Sequence, residues 1–182
     1  YKMKILIIKT GGLGDVLRTS FIAQALKDKY RGSEITWLTA EMAKPMFVNN
    51  PYVDKIEIDS KEIIKKLSEE KFDLVINLEE DEEKAKLASS FGCEIVGFLW
   101  KDEKVLPSKT AKEWFDMSRL GEKPKNDLLK IANKKTHRQL IAEIIGIDYK
   151  RYEPFLRLNE SQIKLSNEFI RRYNIKKEDI VV

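Results

Sequence analysis

Residues 10–15, "TGGLGD", place three glycines next to a carboxylate, between an apolar stretch and an amphipathic one. A glycine loop that leads from a strand into a helix presents unpaired backbone amides and the positive end of the helix dipole, which suit an anion such as a phosphate. The dinucleotide fingerprint G-x-G-x-x-G is only half present, because Leu17 stands where its third glycine belongs, and the G-K-[ST] of a P-loop is absent. The loop by itself is therefore weak evidence for a nucleotide site.

Asp15 has two interpretations. It can cap the N-terminus of the following helix, which stabilises a helix by about 1 kcal/mol. It can also do chemistry, because ligands of open α/β sheets bind beyond the carboxyl ends of the strands and Asp15 follows the first predicted strand. A carboxylate there can take a proton from a hydroxyl, while the glycines let a bulky substrate approach the backbone.

Few other residues have the spacing of a reactive site. The acids at 79–83 follow a predicted strand and either hold Mg²⁺ or, as we favour, complement the dipole of the next helix. The only histidine, His137, has no partner at zinc or triad spacing, so we expect a surface or structural role. The only cysteine, Cys93, excludes an internal disulfide and fits a cytoplasmic protein.

The hydrophobic pattern predicts the elements that position these residues. Apolar or alternating runs predict five strands, at 4–9, 34–39, 53–59, 72–78 and 93–98. Helical spacing predicts helices at 15–30, 41–48, 61–70, 82–91, 110–120, 127–134, 136–146 and 160–173, with "WKDEKVLPSKT" as a loop or short ribbon. The alternation predicts an α/β, Rossmann-like fold with a mainly parallel sheet and helices on both faces.

Composition narrows the class of protein. The 182 residues suffice for one domain, and the net charge of +4 is too small to indicate nucleic acid by itself. No apolar run approaches the ~18 residues of a membrane span, and no signal peptide opens the chain. Residues 101–138 carry 11 basic against 6 acidic side chains, which suggests either a solvated surface or a face for an anionic ligand. The chain ends in "KKEDIVV", which resembles the start of another strand and suggests a second domain.

The segment "KILIIKTGGLGDVLRTSFIAQALKDKYRGSEITWLT" resembles the N-terminal segment of the family 9 glycosyltransferases, the ADP-heptose:lipopolysaccharide heptosyltransferases. The later pieces "NPYVDKIEID", "FDLVINLEED" and "VGF" recur in that family in the same order. The resemblance covers roughly residues 3–98 well and the remainder loosely.

The resemblance implies a GT-B architecture, in which two Rossmann-like domains face each other across a cleft. Residues 1–182 correspond to the N-terminal, acceptor-binding domain, with the start of a second domain or a linker near 175–182. The C-terminal domain that binds the nucleotide-sugar is absent from this chain, so we expect the chain alone to be inactive. In the family the aspartate of the glycine loop is the general base, and it corresponds to Asp15.

The resemblance also implies a set of acceptor-binding residues. The loop residues Thr10, Gly11, Gly12, Leu13 and Gly14 line the expected acceptor pocket, and Arg18 lies one turn into the first helix. An anionic acceptor surface is expected to include Lys101 and Lys109, with Lys104 and Arg119 as further contributors. Trp100 and Trp114 either stack on sugar rings or pack in the interior.

The expected function is inverting transfer of a sugar from a nucleotide-sugar, ADP-heptose, to a lipopolysaccharide core or related glycan. We expect no resident cofactor and no metal, an anionic glycolipid as partner, and peripheral contact with the cytoplasmic face of the inner membrane. Two alternatives remain open from the residues: a dinucleotide- or flavin-binding domain of an oxidoreductase, and a non-catalytic sugar-binding module on the same fold.

Overall fold

A six-stranded sheet forms the centre of the computed structural model, which describes residues 2–179. The strands are β1 Lys4–Ile8, β2 Glu34–Thr39, β3 Lys55–Ile58, β4 Leu74–Asn77, β5 Glu94–Lys101 and β6 Lys104–Pro107. They lie in the order β3-β2-β1-β4-β5-β6, and all neighbours are parallel except β5 and β6. The predicted mainly parallel sheet is confirmed, and the predicted ribbon after residue 98 is the β5–β6 hairpin.

Helices cover both faces of this sheet. They are α1 Leu13–Thr19, α2 Phe21–Lys29, α3 Lys61–Ser68, α4 Glu82–Ser90, α5 Lys112–Met117, α6 Lys125–Ala132, α7 His137–Ile145 and α8 Glu160–Arg172. Because alternate residues of a strand point to opposite faces, Ile5 and Ile7 pack with α1, α2 and α7, whereas Leu6 and Ile8 pack with α3 and α4. Burial on both faces explains why the parallel strands are continuous apolar runs.

The first predicted helix differs from the observed one in two respects. It begins at Leu13 rather than Asp15, so that Gly12 is the N-cap, Asp15 lies inside the first turn, and no side chain caps the helix. The interpretation of Asp15 as an N-cap is therefore wrong. The helix is also interrupted at Ser20, whose amide donates to the Leu17 carbonyl at 3.1 Å and whose hydroxyl accepts from the Phe155 amide at 2.8 Å.

The remaining helical predictions are confirmed with shorter bounds, except that the helix predicted at 127–134 is shifted to Lys125–Ala132. Residues Glu41–Phe47 form a 3-10 helix, and the helix predicted at 110–120 is a 3-10 turn, Lys109–Ala111, followed by α5. The capping box predicted at Asn159 and Gln162 opens α8, whose side chains are all exposed. Of the segment "KKEDIVV", which was expected to begin another strand, residues 176–179 form no strand, and residues 180–182 lie outside the described residues. Within residues 2–179, no helix is long and apolar enough to cross a bilayer.

Candidate active site

The candidate site lies where the carboxyl ends of β1 and β4 meet. These strands are neighbours, with Ile8 opposite Asn77, and the chain order reverses between them. Open α/β sheets bind ligands at such a switch point. The glycine loop leaves β1 here and Glu79 follows β4, so the sheet topology brings Asp15 and Glu79 to the same edge.

Glu79 binds the start of the glycine loop. Its Oε1 accepts hydrogen bonds from the backbone amides of Thr10 at 2.6 Å and Gly11 at 2.7 Å, and from Lys9 Nζ at 3.1 Å. The Lys9 and Glu79 side chains are only 10% and 12% exposed. The amides of Thr10 and Gly11 are therefore held by a buried, paired carboxylate and are not free for an external anion.

Asp15 presents one free carboxylate oxygen. Arg18 Nη2 donates to Oδ1, while Oδ2 accepts no hydrogen bond from the residues the structure describes. Partial burial acts to raise the pKa of Asp15, but the Arg18 hydrogen bond and the charge of Lys9 outweigh it and hold the pKa below its ordinary value of 3.8. The side chain is 43% exposed. Asp15 is therefore an ionised, accessible carboxylate at neutral pH.

His137 lines the same cavity as Asp15. It is the first residue of α7, and its ring meets the Trp114 ring edge-on, with centroids 5.2 Å apart. Burial, with the nearby charges of Arg18 and Lys9, lowers its pKa from 6.5 to about 4, so the imidazole is neutral at pH 7. Its Nδ1 is buried without a hydrogen-bond partner.

Glu80 orders the far wall of the cavity. Trp114 Nε1 donates to Glu80 Oε1 at 2.8 Å, and Arg119 Nε lies 3.5 Å from Glu80 Oε2. Thus Glu79 and Glu80 do not complement the dipole of the next helix as expected. The other three acids do: Asp81 caps α4 and accepts from the Lys84 amide at 2.9 Å, and Glu82 and Glu83 lie in the first turn of that helix.

These side chains enclose a cavity of about 380 Å³. Its lining consists of Lys9, Asp15, Arg18, Leu78, Glu79, Glu80, Trp114, Arg119, His137 and Ile141. Of the residues predicted from sequence, the cavity thus brings together Asp15, Arg18, Trp114 and Arg119. Among residues 2–179, no three His, Cys, Asp or Glu side chains are grouped to hold a metal ion.

Solved structures of glycosyltransferases share this fold. The glycosyl transferase family 9 structure from Veillonella parvula DSM 2008 matches 98% of this chain and 52% of its own, with a TM-score of 0.72 and 17% identity. The chain has the fold of one half of a family 9 glycosyltransferase. E. coli heptosyltransferase WaaC with ADP matches 91% of this chain and 54% of its own, with a TM-score of 0.51 and 16% identity.

A second WaaC structure, with ADP-2-deoxy-2-fluoro heptose, matches 84% of this chain and 51% of its own at a TM-score of 0.50 and 16% identity. The chain therefore spans about half the length of the solved structures that it matches. No protein-family model and no curated protein matches the sequence. The resemblance to family 9 is confirmed for the fold, as one half of a GT-B glycosyltransferase.

The loop residues that were predicted to bind the acceptor differ in their contacts and in the space around them. Thr10 and Gly11 donate their amides to Glu79, and Leu13 begins α1 with a largely exposed side chain. Gly12 has φ +66°, and a Cβ there would lie 3.0 Å from Asp15 Oδ2, so this glycine leaves room for the free oxygen. A Cβ at Gly14 would meet nothing within 4 Å.

Lys101 and Lys109 do not line the cavity beside Asp15. Lys101 ends β5 at the hairpin, and Lys109 begins the 3-10 turn that follows β6. The sequence analysis missed Lys9, Glu79, Glu80 and His137 as lining residues. A usable signal existed for the glutamates, since they follow a buried strand that can neighbour β1, but five consecutive acids do not reveal which of them face the loop.

Proposed function

We propose that this chain is the acceptor-binding half of an inverting glycosyltransferase in which Asp15 is the general base. The observation that carries the proposal is the free Oδ2 of an ionised, accessible Asp15 inside a cavity at the carboxyl edge of the sheet. The fold shared with family 9 structures supports the reaction class.

In the proposed reaction, Asp15 Oδ2 takes the proton of an acceptor hydroxyl as that oxygen attacks the anomeric carbon of the donor. The bond from the anomeric carbon to the diphosphate oxygen breaks, and the nucleoside diphosphate leaves with the electron pair. Attack from the face opposite the leaving group inverts the configuration. A low pKa keeps Asp15 ionised, and the proton moves to it as the attacking hydroxyl becomes acidic.

We further propose ADP-heptose as donor and a lipopolysaccharide core or related glycan as acceptor. The support for the donor is the ADP and ADP-2-deoxy-2-fluoro heptose named in the WaaC structures. Because the chain spans about half of those structures, we assign donor binding to a second half, and we propose that this chain alone does not turn over. With such an acceptor, we propose peripheral contact with the cytoplasmic face of the inner membrane.

The deciding experiment uses a two-domain protein that contains this chain and a nucleotide-sugar-binding half, which we call the joined protein. It measures sugar transfer from ADP-heptose to lipid-linked acceptors. Asp15→Asn keeps the size of the side chain and removes the base, so we expect the rate to fall by about 10²–10⁴-fold without loss of fold. Asp28→Asn is the matched control, since Asp28 accepts from the Tyr152 hydroxyl at 3.1 Å and lies outside the cavity. Transfer that survives Asp15→Asn would refute the base assignment.

The two alternative functions give different results. An oxidoreductase domain binds NAD or FMN tightly, which calorimetry on this chain measures directly; the incomplete dinucleotide fingerprint, with Leu17 in place of the third glycine, leads us to expect no binding. A sugar-binding module binds glycans but shows no transfer by the unmodified protein with any acceptor.

A further inference from the structure

The cavity beside Asp15 has no surplus of positive charge. Three cationic side chains line it, and each is paired with one of its three carboxylates: Lys9 with Glu79 at 3.1 Å, Arg119 with Glu80 at 3.5 Å, and Arg18 with Asp15. The one histidine in the lining is neutral at pH 7. An acidic ligand loses its hydration on binding and meets no net positive charge in the cavity. Its charge therefore adds little to its affinity compared with an uncharged ligand.

The donors and acceptors in this lining suit hydroxyl groups. A hydroxyl both donates and accepts a hydrogen bond, so it can bond a carboxylate oxygen and a cationic or neutral nitrogen at once. Asp15 Oδ2 is free to accept. The neutral His137 ring lines the same cavity, and its Nε2 makes no hydrogen bond to the described residues.

Trp114 supplies an apolar surface in the same cavity. Its indole is partly buried against the core and is fixed by the bond from Nε1 to Glu80 and by edge contact with His137. An indole fixed in this way can pack against the C–H face of a sugar ring at little entropic cost. Trp100 differs, because its ring is covered by Lys86 Nζ at 4.4 Å and lies outside the cavity.

We propose that this cavity binds one uncharged sugar ring of the acceptor, with its apolar face on Trp114 and a hydroxyl that donates to Asp15 Oδ2. The proposal rests on the proposed function, to which it adds the acceptor unit that reacts. The cavity volume of about 380 Å³ lies near the lower end of the roughly 300–1,000 Å³ of small-molecule sites, which favours a single ring. Acidic groups of a longer acceptor then lie outside this cavity.

The test compares sugars that differ only in charge. Saturation-transfer NMR on the full chain measures binding of the methyl glycosides of glucose, mannose and galactose, each beside its uronic acid with a carboxylate at C6. We expect at least one neutral glycoside to bind, with its ring C–H protons most saturated, and its uronic acid to bind at least about 5-fold more weakly. Because the bonds are to a neutral ligand, affinity should change little between low and high salt.

Three variants locate the site. Trp114→Leu keeps apolar volume but removes the aromatic face, and we expect a loss of binding of about 10-fold or more; Trp114→Phe keeps a ring and should retain most of it. Trp100→Leu is the control and should bind like the unmodified chain. Circular dichroism establishes that each variant is folded. Tighter binding of the uronic acids, no binding of any neutral glycoside, or unchanged binding by folded Trp114→Leu each overturns the proposal.

These measurements need neither donor nor turnover, so their outcome is separable from that of the proposed function. Neutral sugars that bind at Trp114 while the joined protein shows no transfer would leave the binding site intact and refute the enzyme. Transfer that depends on Asp15, together with preferred binding of uronic acids, would support the enzyme and refute the site for a neutral sugar.

Discussion

Two cavities at opposite edges of the sheet differ in what their walls leave unpaired. The larger, of about 650 Å³, lies where α2 and α7 end, and Lys29 Nζ there donates to the Ile145 carbonyl at 3.0 Å. In it, none of the described side chains has a buried polar atom without a partner. The smaller cavity, beside Asp15, contains the unpartnered Nδ1 of His137 and the free Oδ2 of Asp15.

The difference shows that volume alone does not identify a site. Helix C-termini carry partial negative charge and are stabilised by cations, and in the larger cavity the chain's own lysine supplies that cation. This lysine is therefore used for stability. The smaller cavity lies at the helix N-termini and strand ends and keeps polar atoms for a ligand, so we expect substitutions there to affect function more than folding.

Gly12→Ala should have the largest effect. Its φ of +66° and ψ of 109° disfavour a side chain at a cost of about 1–3 kcal/mol, and the new Cβ would lie 3.0 Å from Asp15 Oδ2. We expect lower stability in urea unfolding and a loss of transfer by the joined protein. Gly14→Ala is the matched control: no atom lies within 4 Å of its Cβ, and alanine favours the helix by about 0.5–1 kcal/mol. Equal effects of the two changes would contradict this account of the loop.

Acid should lower the free energy of unfolding of the chain through His137, which lines the smaller cavity. The unfolded chain protonates this ring near pH 6.5 and the folded chain only near pH 4, so its contribution is complete above pH 6.5 and decreases as the pH falls toward 4. Between pH 7 and pH 4.5 we expect a loss of about 1–2 kcal/mol, less than the full shift implies because the ring is half buried. Urea unfolding at both pH values measures it. His137→Gln should remove this difference, and an unchanged pH dependence in that variant would exclude His137 as its source.

The smallest expected effect is the loss of stability when one cation is removed from each cavity. Lys29→Met removes the cation from the ends of α2 and α7, and we expect a loss of about 0.5–1 kcal/mol. Arg18→Met breaks an exposed pair with Asp15, which is worth about 0–0.5 kcal/mol. Chemical denaturation distinguishes them, and a larger loss for Arg18→Met would reverse the comparison.

Most of the sheet could be predicted from the sequence because its parallel strands are buried on both faces and therefore form continuous apolar runs. The interruption of the first helix could not be predicted. It depends on a hydrogen bond between Ser20 and Phe155, which are 135 residues apart. Local helical spacing on both sides of Ser20 is unbroken and carries no sign of that contact.

The site was predictable only where it depends on one loop. Asp15 could be predicted as a site residue because it comes directly after the first strand. The residues around it come from distant parts of the sequence, which strand order and helix packing bring together. Glu79 reaches the loop because β4 lies beside β1, and His137 because α7 packs against α1. A lone histidine with no partner nearby in sequence gives no signal of such a position.

Glu79 also limits what this loop can become. A third glycine at position 17 would complete the dinucleotide fingerprint on paper, yet the amides of Thr10 and Gly11 would still be held by an internal anion. Converting the loop into a nucleotide receptor requires removing Glu79 as well, which leaves Lys9 buried without its counter-charge. In this chain a glutamate two residues beyond the neighbouring strand thus makes the start of the glycine loop an internal brace.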